Sequence, residues 1–551
     1  MNRRRALTRH FFRALFDLGF LTTEGSDAFV RVVIGIFGVI IAFGLLLARM
    51  YMDKYGALKG PDPAPYLRAL NADTAMTFGL PMWIMAFIAV LISHSLVPDE
   101  TDFRVLMPLP LRQSFVFGAK LVALFQFIGL FTAASLVALT PVTFIIVSSR
   151  QAPALPPIGL LAYWLVGAAS CAFVVLAVVA LNGLISMCLP KSRVHATTAA
   201  IRSAMLAALM LALPAVLALP ADADLLAQHS TWMYLAPPAW FLGIDRVLFG
   251  GADAYLWTLA TIGLTAFASV TAVSFVTYAL LYHHFDRVML RSLQMTMRRR
   301  TWRGTIADFT YATLRRSALH QGVLVGLSAL GVTLAVNRFL NREVIAWLHR
   351  LDTPTFDVII VVMGIPWLLM FVIGLATHWA ITLPIDHRAS WIFRITEDHA
   401  TRARQLHAVT RLMRQTTVLF PLVLMAPLEW ALYGPRAIFA LATNAACALF
   451  WVEILLRGWR RLPFTCSYIP GKQAVAQTTV VGIGALVLGV TLIGGLANQS
   501  ARSPVFGLVV VGLLSFLTWA FRRARLTLWN ENPLEFDDHM PSAVEGLGLH
   551  A

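Results

Sequence analysis

The chain has 551 residues, of which 58% are hydrophobic and only 13% charged, with 35 Phe and 15 Trp. A soluble fold of that length needs far more charge to cover its surface, so composition excludes a water-soluble globular protein. The net charge of +16 requires no nucleic-acid partner, because in such a chain basic residues orient loops and meet anionic lipid.

Residues 1–29 hold Arg3, Arg4, Arg5, Arg9 and Arg13, but Asp17, Glu24 and Asp27 precede the first apolar run. No short apolar core leads to a small-residue cleavage site, so this is not the pattern of a cleavable signal peptide. Arg3–Phe20 reads as an amphipathic helix at the membrane surface, with Leu7, Phe11, Leu15 and Leu18 on one stripe and Arg5, Arg9, Arg13 and Asp17 on another. It suits either a plain surface helix or an elbow that moves with a cytoplasmic partner.

Apolar segments follow at 31–50, 75–97, 116–148, 158–189, 198–219, 256–282, 321–338, 357–383, 413–432, 437–456, 475–497 and 504–521. A crossing takes about 20 apolar residues, since about 1.5 Å of rise per residue must cover about 30 Å of hydrocarbon. The third and fourth segments exceed this, so each is expected to tilt or break, at Pro141 and at the Pro153/Pro156/Pro157 cluster.

Arginine and lysine concentrate on alternate connections and the span ends next to them, which together hold 32 of the 44. By the positive-inside rule both termini are cytoplasmic and the number of crossings is even. The expected fold is all-α and polytopic, with about twelve transmembrane helices in two six-helix halves at 30–283 and 321–521. They are joined by a cytoplasmic linker at 284–320 and followed by a cytoplasmic tail at 522–551. Each half places a hydroxyl residue, a histidine and then a Pro/Asp/Arg/aromatic loop after its second span: Ser93-His94 before 98–112, and Thr377-His378 before 383–397. That correspondence supports duplication, which is common in transporters.

Span interiors are nearly free of ionisable residues, which disfavours an internal proton machine. Glu429 is placed near an outer end. Glu453 precedes Arg457 by four residues, as in a helical ion pair at the interface. His94 and His378 read as packing residues ahead of proton relays. Cys171, Cys188, Cys447 and Cys466 have no paired spacing, and no disulfide, metal site, cofactor or catalytic cluster is expected. The single Gly471-Lys472 is followed by Gln473, so no phosphate loop of the G-x-x-x-x-G-K-[ST] type exists.

The segment Leu106-Met-Pro108-Leu-Pro110-Leu-Arg112, with Phe115 and Ala119-Lys120-Leu121 opening the next span, resembles the stretch after the second span of ABC type-2 exporter permeases. Tyr234-Leu-Ala-Pro-Pro-Ala-Trp240-Phe-Leu-Gly243 is similar to the outer re-entrant helices of that family. The resemblance covers the first 285 residues, and the second half through topology and the 384–397 loop. It implies an exporter permease in the cell membrane, not itself an enzyme, driven by a separate ABC-type ATPase docked on its cytoplasmic loops. Two departures stand out: one chain carries both halves, and the second half lacks the outer insert before its last span.

The loop residues suit docking on their own chemistry. Asp99, Glu100, Asp102 and Arg104 offer charge for registry, and Phe103, Leu106 and Met107 an apolar anchor. Arg388, Trp391, Phe393, Arg394 and Glu397 repeat the arrangement in the second half. The same residues also fit interfacial anchoring, with aromatics at headgroup depth. Arg460–Lys472 is a punctuated loop that either forms a third contact or simply joins two helices. The competing readings are an ion-coupled secondary carrier and a membrane-embedded enzyme or assembly factor.

Overall fold

A computed structural model describes residues 25–58, 64–93, 113–148, 156–188, 191–283 apart from 222, 306–339, 356–383, 399–464 and 475–532, with a few positions within 5–12 and 344–347 and residue 534. The described residues are almost wholly helical and contain no strand. In hydrocarbon a helix satisfies its backbone within its own segment, which is why apolar runs of this length take that form. Nine described helical stretches are long and apolar enough to cross a membrane, so the protein is membrane-embedded and all-α. The chain divides into two compact units, 1–299 and 300–551.

The first unit contains α1 (Gly25–Ala57), α2 (Ala64–Leu91), α3 (Gln113–Val147), α4 (Pro156–Cys188) and α5 (Lys191–Ala218). A one-turn helix (Asp224–Ala227), a 3₁₀ turn (Thr231–Leu235) and α6 (Pro237–Phe249) come next, and α7 (Ala254–His283) closes the unit. Helix α2 is the centre, packing on α3, α4, α5 and α6. Its core joins Tyr66, Phe78, Leu136, Tyr163, Phe173 and Phe241. At the N-terminus, Leu7, Phe11 and Phe12 rest on Val116, Ala119 and Ala123 of α3. Part of the apolar stripe therefore buries on protein; Leu15 and Leu18 lie outside the described residues.

Two expectations are corrected here. The second helix begins at Ala64 instead of 75, with Asp73 inside it. Helix α3 runs unbroken through Pro141. Helix α4 begins on Pro156, where a proline costs nothing because a first-turn N–H has no helical acceptor.

The second unit contains α8 (Ile306–Arg316), α9 (Ala318–Phe339), α10 (Phe356–Thr382), α11 (His399–Arg414), a π turn (Gln415–Leu419), α12 (Phe420–Tyr433), α13 (Ala437–Leu455), α14 (Val475–Arg502) and α15 (Pro504–Glu531). One residue, Ser503, separates α14 from α15. Helix α10 is the centre, packing on α9, α12, α13 and α14. In its most apolar window 83% is buried, against 67% for α2 and 6% for α15. In both units, then, the helix that leads into an expected docking loop is the core helix.

Helix contacts inside these units use small residues. Gly44 of α1 lies directly on the Ala138 carbonyl of α3, and a Cβ at Gly364 of α10 would stand 2.8 Å from the Val490 carbonyl of α14. Association in lipid depends on such close packing. Gly364→Leu is expected to lower the thermal stability of the detergent-solubilised protein by about 1–3 kcal/mol through overpacking. Gly38→Leu, where nothing lies within 4 Å, should leave the melting temperature unchanged.

Candidate functional site

The sequence-derived docking residues Asp99, Glu100, Asp102, Phe103, Arg104, Leu106 and Met107, and Arg388, Trp391, Phe393, Arg394 and Glu397, all lie outside the described residues. The helix ends that carry those loops are described. At the end of α10, the Phe464 N–H donates to the Ile381 carbonyl at 3.0 Å, and His320 Nε2 lies 2.9 Å from the Leu383 carbonyl. A carbonyl only accepts, so Nε2 carries the proton and Nδ1 accepts from the Ser317 hydroxyl at 2.6 Å. The last carbonyls of a helix have no intrahelical donor, and here distant groups supply one. The His320 ring stands edge-on to Phe464, 4.8 Å between centroids, and Phe464 holds a φ of 66° to reach this place. The described part of the 460–472 loop thus serves as a clamp on the end of α10.

Next to this clamp is a buried ion network. Glu453 is fully buried; its Oε1 accepts from Arg414 at 3.0 Å, and its Oε2 from Arg525 at 2.7 and 2.9 Å. The expected Glu453–Arg457 pair does not form: Arg457 is exposed and stacks on Phe521. Buried Arg525 and half-buried Arg414 compete better for a buried carboxylate than a cation one turn away in solvent, because Coulomb attraction grows as the dielectric falls. Arg525 also donates to Thr410 at 2.9 Å and lies over the Trp529 ring, whose indole N–H donates to the Trp459 carbonyl at 2.7 Å. One carboxylate therefore ties α11, α13 and α15 together.

The first unit carries its own network. Asp73 of α2, fully buried, accepts from Lys54 at 2.7 and 2.9 Å, from Tyr55 at 2.8 Å and from Tyr51 at 3.2 Å. Arg246 of α6 donates to Asn71 at 3.1 Å and Thr74 at 3.2 Å, with Asp245 at 3.7 Å. Burial raises the Asp245 carboxyl to about 6, with Arg246 pulling the other way. Between Arg246, Thr74, Thr77, Thr143 and Tyr163 is a cavity of about 30 Å³, room for about one or two waters. Sequence reasoning missed this site because its second apolar segment began at 75, leaving Asp73 outside it.

In α12, Glu429 is buried, with one oxygen accepting from Asn444 at 2.8 Å; its other oxygen and the Asn444 carbonyl oxygen have no partner among the described residues. Thr443 and Ser500 are hydrogen-bonded at 2.9 Å on the neighbouring helices. His378 packs edge-on against Trp459, 5.3 Å apart, and its Nδ1 is buried with no hydrogen-bond partner among the described residues. His94 lies outside the described residues. Cys171 and Cys447 are buried, Cys188 is exposed, and all three are free; Cys466 lies outside the described residues. Comparison with family models, curated proteins and solved structures returns no match.

Glu453→Gln leaves Arg525 buried without a counter-charge and is expected to cost about 3–5 kcal/mol, seen as a sharp fall in melting temperature. Arg457→Gln should cost at most about 1 kcal/mol, the value of an exposed cation–ring contact. If Arg457→Gln proves the more damaging, the pairing is wrong.

Proposed function

We propose that the chain is the membrane permease subunit of an ATP-driven transporter of ABC type-2 exporter kind, with twelve crossings and both termini cytoplasmic. The observation that carries this reading is the insert between α5 and α7. Its turns and α6 never form a crossing; Leu226, Met233, Ala239 and Leu242 instead pack on Ala72 and Ala75 of α2 and on Tyr255, Leu256 and Leu259 of α7. Pro237 and Pro238 start α6 in its first turn. A Pro- and aromatic-rich helical insert before the last span of a six-helix half is what the resemblance implies. The second unit, with only Ser503 between its last two helices, lacks one.

Energy would come from a separate ATPase, since the sequence holds no phosphate loop. The candidate contact loops continue from α2 and α10. A force applied to either loop would act on the core helix of a unit, and the α10 end is braced by His320 and Phe464. A hydrophobic or amphipathic cargo suits the apolar helix faces.

A second reading is favoured by one observation. Glu429 and Asn444 present two buried acceptor oxygens with no donor among the described residues, which a proton or a small cation would satisfy, as an ion-coupled carrier requires.

Affinity purification of the tagged chain in mild detergent should recover a stoichiometric nucleotide-binding subunit with ATPase activity. The triple variant Phe103→Ala, Met107→Ala and Trp391→Ala should lose at least about 90% of it, as expected when a docking anchor is removed. Pure chain without ATPase, combined with transport in vesicles that follows an imposed ion gradient and is abolished by Glu429→Gln, would replace the permease with the carrier.

A further inference from the structure

At the arginine-rich end of the second unit is an open pocket of about 480 Å³, lined by His407, Thr410, Arg411, Arg414, Gln415, Leu419 and Arg522. The volume lies in the range of sites that hold small ligands, about 300–1,000 Å³. His407, Arg411 and Arg414 follow one another at spacings of four and three along α11, so they share a face. Arg522 reaches the same space from α15.

The charge balance there is one-sided. Glu453 is the acidic partner of Arg414 and Arg525, and both of its oxygens are used. Among the described residues neither Arg411 nor Arg522 has a carboxylate at ion-pair distance, and Arg414 Nε is buried with no hydrogen-bond partner. Arg411 and Arg522, with no carboxylate at ion-pair distance among the described residues, repel each other and Arg414 across this concave space unless an anion sits between them. Planar forks of N–H donors match phosphate oxygens in particular.

The backbone is specialised at the same place. Gln415–Leu419 is a π turn inside an otherwise α-helical run, a local widening that costs hydrogen-bond quality and recurs at functional sites. It puts Leu419 on the pocket rim. From there Leu419, Phe420, Val423 and Leu424, all exposed, continue along α12 as an apolar strip. Polar lining at one end and an apolar track leading from it are the two halves of an amphiphile.

We propose that this pocket binds the phosphate of an anionic lipid, with Arg411, Arg414 and Arg522 around the phosphate and an acyl chain along Leu419 and Val423. A soluble phosphate shares the headgroup chemistry but makes no use of the strip. Occupancy by the lipid neutralises the end at which α11, α13 and α15 meet.

The test is native mass spectrometry of the full chain in neutral detergent, titrated with phosphatidylglycerol, phosphatidylcholine or inorganic phosphate. Phosphatidylglycerol should bind at least about tenfold more tightly than phosphatidylcholine, and millimolar phosphate should weaken it. Arg411→Gln with Arg522→Gln should reduce phosphatidylglycerol affinity by about tenfold or more, as loss of two charge-assisted contacts implies. Arg523→Gln, on the same helix but stacked on Trp519, should leave it unchanged. Should the double variant melt early, Arg411→Lys with Arg522→Lys keeps the charge, removes the forks and is expected to bind with intermediate affinity. Equal loss in Arg523→Gln would mean diffuse surface charge and overturn the site. Arginine-dependent binding of phosphate without lipid preference would overturn the lipid as its source.

Discussion

Hydrocarbon offers no water to a polar group, and this constraint shapes both units. Each helix satisfies its own backbone, and the hydroxyls of Thr258, Thr265 and Thr271 on α7 fold back to carbonyls four residues earlier, so polar side chains face lipid without an open donor. Charges obey a stricter form of the same rule. Asp73 and Glu453 are both fully buried, and each oxygen of each carboxylate meets at least one donor. Removing either acid would strand a cation, so the ion networks hold helix ends in register whether or not they add net stability.

The helices were legible in the sequence because a run of about 20 apolar residues can do little else in a bilayer. Their ends were not. Asp73 fell just ahead of the apolar segment read from 75, yet it lies inside α2 and its charge is answered by Lys54, 19 residues earlier on another helix. Glu453 shows the same limit. The sequence displays Arg457 four residues on, while the true partners are 39 and 72 residues away. Pro141 was read as a break, but a proline removes only one helical hydrogen bond, and packing on neighbouring helices outweighs that loss in a membrane. The insert before α7 was singled out through the resemblance that its Pro-Pro-Ala-Trp stretch carries, and Pro237 and Pro238 do begin a helix there.

Among candidate functional residues, those chosen for their local chemistry belong to the loops after α2 and α10. The structure adds groups that local chemistry does not flag: His320, whose two ring nitrogens join Ser317 to Leu383, and Phe464, whose backbone joins the α10 end to the segment after α13. Neither sits in a motif. Each matters because it fixes the end of a core helix, and only the tertiary arrangement reveals it.

The single-residue link at Ser503 sets how α14 and α15 can move. With Cα atoms about 3.8 Å apart, Arg502 and Pro504 can be separated by no more than about 7.6 Å, so the linked ends of the two helices cannot part. Relative motion is confined to pivoting about that corner. Arg525 lies 21 residues along α15 from Pro504, about 32 Å at helical rise. A pivot of about 5° at the corner would shift it by roughly 3 Å at that radius, enough to separate its guanidinium from Glu453. The pair sits at the far end of α15 from that corner, where a given rotation has its largest displacement.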